Sequence, residues 1–555
     1  MEFFFPMPRT YRLPLLTVVA LLLSAAFASA LATTARADST QITIMQDDSN
    51  VLNNPVSTLD SFRALGVTDV RIFLGWESIA PSPNSRKQPR GFNPSNPASY
   101  PARNWAPYDA AVRDAAARGM GVNFVITGPA PLWATKPGAK GRGVTSLTEH
   151  NYYPSAPDFG SFVTAVGRRY DGGFTPAGSS SPLPAVRFWA IWDEPNYGYQ
   201  LAPQATSKGV EIAPEIYRGL LDHAWSALRA TGHGSNTILF GDTAPRGANV
   251  PGVANGMVPL RFLRALYCVN SSFQELRGTA ASERACPTTA AASRHFRSQN
   301  PALFDTSGFA AHLYTSGQVS RPNLPDPSNE HDYAGLIDLR NLERTLDRLN
   351  SVYGSHTKFP IYNTEFGFQT NPPRAQCGCI FLSPTTAGYY LNWSEYIEWS
   401  DPRVRSDAQY LLYDAPGPPG HSSSESVFSS GLLYLNGTPK ADYDAFELPL
   451  YLASTSTSHG GSLEVWGQVR PAPFAAKDSG LAQQVAVQFQ PSSGGAWTTV
   501  ETVTITNSEG FFRVPVTFPS SGSVRLEWSY PTAFAFLPPL DTPIVTSRTQ
   551  TITES

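Results

Sequence analysis

The sequence predicts a (β/α)8 barrel followed by a small all-β sandwich. Three observations carry this. Short apolar runs alternate with helix-periodic segments over roughly 400 residues, which is (β/α)8 size once loop insertions are added to the usual ~250. The longest connections follow strands rather than helices. After about residue 450 the helical period gives way to apolar–polar alternation punctuated by Gly, Ser and Pro. A chain of 555 residues exceeds one compact core, so more than one domain is expected. We divide it into a leader (1–37), a barrel (38–449) and an accessory β domain (450–545).

The predicted strands span 41–45, 67–74, 122–127, 186–192, 237–241, 308–312, 359–364 and 409–413. Strands buried on both faces read as continuous apolar runs. Between them, helical periodicity covers 57–65, 108–118, 159–170, 214–230, 336–353 and 386–400, with Gly66 and Gly119 as C-terminal stops. Extra length lies in 78–106, 128–157 and 242–300, all after strands, where this fold builds its active site. A doubly wound open sheet is the rival architecture, but no Gly-rich phosphate loop supports it. In the C-terminal part, alternation marks strands at 462–470, 483–489, 497–505, 510–516 and 523–528, with an edge strand within 544–552. This domain shows no aromatic platform, and packing against the barrel is its expected role.

Residues 1–37 read as a secretion signal: Arg9 and Arg12, an apolar run over 13–28, then small-x-small sites, with cleavage placed after Ala37. No later apolar run reaches the ~20 residues of a membrane span. We therefore expect an exported protein with no stable membrane association, of bacterial type given its Arg-rich, Ala- and Pro-rich composition. Four cysteines, Cys268, Cys286, Cys377 and Cys379, fit an oxidising compartment and allow three pairings. A Cys268–Cys286 bridge would close an intervening loop; Cys377 and Cys379 can pair only as a tight ring. No His stands at ligand spacing from them, so no metal and no cofactor is expected. The net charge of −3 argues against nucleic acid as a partner.

Two glutamates sit at strand exits: Glu194 in FWAIWDEPNY (188–197) and Glu365 in FPIYNTEFG (359–367). Two carboxyls from distant strands facing one cleft are what cleavage of a glycosidic bond requires, one protonated and one ionised. Arg71, Trp76, Trp133, His312 and Asp414 also fall near, at or just past strand ends, as do Asp47 and Asp48.

At WAIWDEPN (189–196) the chain resembles the clan A glycoside hydrolases, retaining (β/α)8 enzymes that include families 5 and 39. Thr364-Glu365 matches the seventh-strand pair, Val70-Arg71-Ile72 with Trp76 and Pro81 the second-strand segment, and His312-Leu313-Tyr314 the sixth. The resemblance is greatest to secreted actinobacterial members. It implies Glu194 as acid/base and Glu365 as nucleophile, held ionised by Arg71 and Tyr314. It makes Asp193, His312, Trp76, Trp133 and Asn196 candidates for contacting a carbohydrate substrate, of plant or microbial oligo- or polysaccharide type; Trp192 is a further candidate wall. Two departures stand out. Asp193 replaces an Asn whose amide donates to the sugar, whereas an ionised Asp only accepts. The eighth strand lacks the usual tryptophan, so Tyr410 or Tyr413 must stand in. A catalytically silent carbohydrate-binding protein on a hydrolase scaffold is the alternative, with Asp193 as its support.

Overall fold

In the computed structural model, eight parallel strands close on themselves: β1 (Ile42–Gln46), β2 (Asp69–Gly75), β3 (Gly121–Thr127), β4 (Phe188–Ile191), β5 (Thr237–Thr243), β6 (Gly308–Ala311), β7 (Ile361–Asn363) and β8 (Val404–Tyr410). β8 returns to β1 with Ile42 opposite Ser406 and Gln46 opposite Tyr410. The structure describes residues 39–137, 149–325, 330–373, 381–416, 426–536 and 543–555. The leader and both Cys377 and Cys379 lie outside the described residues. Among the described residues no helix is long and apolar enough to cross a membrane.

The helices follow the sequence pattern with local adjustments. Pro55–Ala64 stops at Gly66, whose φ of +79° is one that glycine adopts without strain. Ser155 and Ser383 cap Ala156–Arg169 and Pro384–Trp399, each accepting a backbone N–H of the first turn. The helix expected at 108–118 begins at Ala102 and runs through Pro107. Trp105 anchors the added turn: it is fully buried against Tyr100 and Tyr170 and donates to Pro97 O at 3.2 Å.

β8 departs most from expectation. It runs 404–410 rather than 409–413, so Tyr410 ends the strand and Tyr413 lies beyond it. The polar stretch Arg405-Ser406-Asp407 reads as loop in sequence. Its buried members are satisfied by distant partners: Ser406 Oγ donates to Asn363 O (2.7 Å), and Asp407 meets Arg470 (2.6 Å). With those bonds made, neither side chain is left without a partner on burial.

The C-terminal part forms two sheets. One is antiparallel, with Ser462–Gln468 between Leu450–Tyr451 and Phe511–Thr517. The other orders Ser456–Thr457, Gln550–Glu554, Gly522–Ser529, Gln484–Pro491 and Thr498–Thr504, with Ile544–Thr546 also beside Gly522–Ser529. Alternation is clearest in Gly522–Ser529, where Val524, Leu526 and Trp528 point inward. A helix not legible in the sequence, Ala472–Ser479, lies between the first two long strands.

These sheets pack closely on the barrel. Tyr389, Trp393, Tyr396 and Trp399 line one side of helix Pro384–Trp399 and meet Tyr451, Trp466 and Phe511. Arg470, fully buried, lies between the outer face of β8 and helix Pro384–Trp399 and donates to Glu395 (2.8 Å), Asp407 (2.6 Å) and the carbonyl of Phe446. A Cβ at position 66 would lie 2.2 Å from the Arg470 carbonyl carbon, so Gly66 is fixed by close approach as well as by its φ.

Candidate active site

Arg71 organises the C-terminal end of the barrel. It lies opposite Gln46 of β1 and Asn123 of β3, wholly buried inside the barrel. Its Nη1 donates to Glu365 Oε2 (2.9 Å) and to Gln46 Oε1, and its Nη2 to Asp193 Oδ1 (3.0 Å) and Asp242 Oδ2 (2.7 Å). The other oxygen of Glu365 accepts from the Tyr314 hydroxyl at 2.9 Å. His312 stands between the two glutamates: Nδ1 is 3.0 Å from Glu194 Oε1 and Nε2 is 3.9 Å from Glu365 Oε2. Nε2 also faces Asp242 Oδ1 at 3.3 Å.

The turn that presents Glu194 is unusual. Trp192 has φ +65° and Glu194 φ +37°, positions that L side chains rarely adopt. The turn is pinned on several sides. Trp192 N donates to Ile126 O (2.9 Å), Asp193 N to Thr127 Oγ1 (3.1 Å), and Glu194 N to Asp242 O (2.9 Å). Strained backbone of this kind persists where surrounding structure over-determines it, and it clusters at functional sites.

Burial and charge then set protonation states. Burial raises the Asp193 carboxyl well above the usual range, against the pull of Arg71 and His312. For Asp242 burial works the same way but is overcome by Arg71, His312 and the Thr364 hydroxyl (2.5 Å), which hold it below the usual range. Burial opposes charge on His312, yet Glu365 and Asp242, with hydrogen bonds to Asp242 and Glu194, raise it well above an ordinary imidazole. Burial and the Glu365 charge keep the Tyr314 phenol protonated, as its donation to Glu365 requires.

Glu194 and Glu365 both open onto a cleft of about 760 Å³, with side chains 21% and 13% exposed. Tyr410 and Phe428 border it beside Glu365, and Tyr197 and Tyr199 beside Glu194. Asp193 is turned away from it, 4% exposed, with its second oxygen accepting from Gln200 Nε2 at 2.9 Å.

Several expected substrate contacts are corrected. Trp76 is fully buried, stacked on Phe162 and edge-on to Trp133, because the chain turns into helix Trp76–Ile79 directly after β2. Trp133 donates to Pro81 O (3.2 Å) and borders a separate hollow with Tyr153 and Asp158. Trp192 is buried and bonds Gln200 O (3.0 Å). Asn196 has no exposure: it clamps the loops after β4 and β5 through Ala244 N (2.9 Å), Ala244 O (3.1 Å) and Met257 O (2.9 Å). Tyr413 lies outside the cleft wall, and Tyr410 takes the place considered for either. Asp47 caps the short helix Asp48–Asn53, Asp48 accepts from Phe73 N, and Asp414 pairs with Lys440 (2.6 Å).

The residues that sequence reasoning missed are Asp242, Gln200, Tyr197 and Tyr199. The available signal for Asp242 was a Gly-Asp-Thr ending on the fifth strand. Asp193, Asp242 and His312 bring one ligand atom each within 4.8 Å of one another, as a metal site would. Here Arg71 Nη2 already lies 3.0, 2.7 and 3.2 Å from them, so the chain's own cation fills that position. The Cys268–Cys286 bridge is formed.

No protein-family model and no curated protein matches the sequence. Solved structures similar to it include a family 39 glycoside hydrolase from Bacteroides cellulosilyticus WH2 (12% identity, 86% of this chain and 80% of that one, TM-score 0.43). Others are an endo-beta-1,4-mannanase from Thermotoga petrophila (12%, 94% and 100%, 0.39) and a beta-glucuronidase from Bacteroides uniformis (12%, 93% and 46%, 0.37). The chain thus spans about half the length of the glucuronidase. At 12% identity and TM-scores of 0.37 to 0.43, the chemistry must be read from the side chains.

Proposed function

We propose that this chain is a retaining glycoside hydrolase that cleaves O-glycosidic bonds of a plant or microbial oligo- or polysaccharide. The observation that carries this reading is that Glu194 and Glu365, from strands far apart in sequence, face opposite nitrogens of one imidazole and share one cleft. Glu365, gripped by Arg71 and Tyr314, attacks the anomeric carbon. Glu194 gives its proton to the departing oxygen, and a glycosyl ester forms on Glu365. Glu194, now ionised, takes a proton from water as that water attacks the same carbon. The ester bond breaks, Glu365 is an anion again, and two inversions leave the anomeric configuration unchanged.

Export belongs to the proposal. It is supported by the basic, apolar and small-x-small order of residues 1–37 and by a disulfide of the kind oxidising compartments sustain.

A panel of aryl glycosides, with product anomers followed by NMR, tests the reading. The expected result is turnover with retention, and a 2-fluoro glycoside trapped on Glu365 by mass spectrometry. Oligosaccharide binding without turnover would instead establish a silent lectin; inverted product would overturn the double displacement.

A further inference from the structure

We propose that Asp242 is the positioning residue of this site, holding the His312 ring as the shared partner of both glutamates throughout the cycle. The proposal rests on the hydrolase reading above and adds to it a residue that reaches neither reacting carboxylate directly.

Asp242 reaches its place through a defect in the barrel. β5 pairs with β6 in register up to Gly241 opposite Ala310, but the next pair is Thr243 with Ala311. Asp242 is the extra residue of a bulge, a device that re-aims a side chain. Gly241 makes the bulge possible: its φ is +99°, and a Cβ there would lie 2.3 Å from the Phe309 ring. Its freed N–H is taken up by the buried Tyr217 hydroxyl at 2.7 Å, which itself donates to Ile191 O at the end of β4. Asp242 has φ +47°, where glycine is the favoured residue. An Asp kept there, with no exposure, needs a reason beyond packing.

Its contacts supply one. Oδ2 accepts from Arg71 of β2, Oδ1 from Thr364 after β7 and from His312 after β6, and its carbonyl from Glu194 N after β4. The decisive contact is the one between Arg71 and His312, whose direction depends on which ring nitrogen carries a proton. Arg71 Nη2 and His312 Nε2 lie 3.2 Å apart. Nε2 can accept from Arg71 as a bare ring nitrogen, or carry a proton turned to Asp242 Oδ1 at 3.3 Å, and the Asp242 anion favours the second. With it, Nε2 keeps its proton and Nδ1–H is free to serve Glu194. Without it, Nε2 gives up its proton and accepts from Arg71.

The balance of charge shows why this matters. Before attack, Glu365 is the anion and Glu194 carries the proton. After attack, Glu365 is an ester and Glu194 is the anion. The cation His312, within 4 Å of both, neighbours the charge in either state. The other titratable groups facing this centre are Asp193 on the β4 side, Tyr314 beside His312, Tyr410 at the end of β8 and Asp48 after β1.

The test is a ¹⁵N NMR titration of the His312 ring in the full-length protein, assigned by comparison with His312→Gln. In the wild type, both ring nitrogens should stay protonated from about pH 5 to pH 8. In Asp242→Asn the ring should titrate within that window, and the pH profile of kcat/KM on an aryl glycoside should gain a limb at the same midpoint. A wild-type ring that titrates in the window overturns the proposal, and it does so even if Asp242→Asn fails to fold. So does a variant whose ring behaves as in the wild type while its activity falls equally at every pH. The NMR arm needs no turnover, so a protein without hydrolase activity would sink the functional reading and leave the Asp242 arm to be decided separately.

Discussion

Two buried arginines belong to the same barrel, one inside it and one between β8 and the outer helices, each held by acidic side chains, and only one of these clusters opens onto a cleft. Arg71 binds Asp193, Asp242 and Glu365, and the last of these opens onto the cleft. Arg470 binds Glu395 and Asp407, side chains no more than 6% exposed, and is covered by the Phe446 ring at 4.1 Å. The local chemistry is nearly the same. What separates the two is access: a carboxylate held by an arginine can act as a nucleophile only where a substrate can reach it. A buried ion pair by itself is weak evidence of either stability or function.

The comparison can be broken from either end. Glu365→Gln should lower kcat on the order of 10⁵-fold while leaving Tm within a few degrees, measured by aryl glycoside kinetics and calorimetry. Arg470→Ala should do the reverse. Removing one partner strands Glu395 and Asp407 and costs about 3–5 kcal/mol in denaturant unfolding, while the folded fraction keeps its kcat. A large kcat loss in folded Arg470→Ala would show that the two clusters are coupled. Glu194→Ala should cost about 10²- to 10⁴-fold on glycosides with poor leaving groups and far less on those whose leaving group needs no acid. Equal losses on both would remove Glu194 from the acid role.

A smaller effect is expected on stability against pH. Burial pushes the Glu395 and Asp442 carboxyls up to about 7, and raises Glu398 well above its usual range. In the unfolded chain these groups ionise near pH 4, so the folded state binds more protons above that. Their contribution is complete below about pH 4 and is lost as pH rises through about 7. Asp242 and Glu211 are held below the ordinary range and contribute in the opposite sense, being lost on acidification. Tm should therefore peak in mildly acidic buffer and fall by several degrees toward pH 8. The smallest effect belongs to Tyr199→Ala. Its ring is 53% exposed on the Glu194 side of the cleft, and losing one stacking face should cost about tenfold or less in kcat/KM on an oligosaccharide.

The barrel was legible because strands buried on both faces must be apolar runs, and seven of eight fell close to their predicted places. β8 was not, because Ser406 and Asp407 become buriable only through Asn363 and Arg470, partners invisible to local pattern. Glu194, His312 and Glu365 were legible as chemically distinctive residues at strand ends, and Arg71 and Tyr314 through the resemblance of their motifs. Trp76 and Trp133 were misplaced because position at a strand end does not say which way the following turn folds. Asp242 escaped because a bulge shifts the alternation by one residue, and no periodicity survives that shift.

Arg470 also sets an order of assembly. Glu395 and Asp407 precede it in the sequence, so a ribosome completes the eighth strand before it makes the cation that strand must close around. Until the next sixty-odd residues emerge, the layer between β8 and the helix beside it holds acids with no cation, and a chaperone would meet an unsealed layer rather than a finished one. Cutting the gene at the apparent seam near residue 450 would leave those two acids without the arginine they were built around.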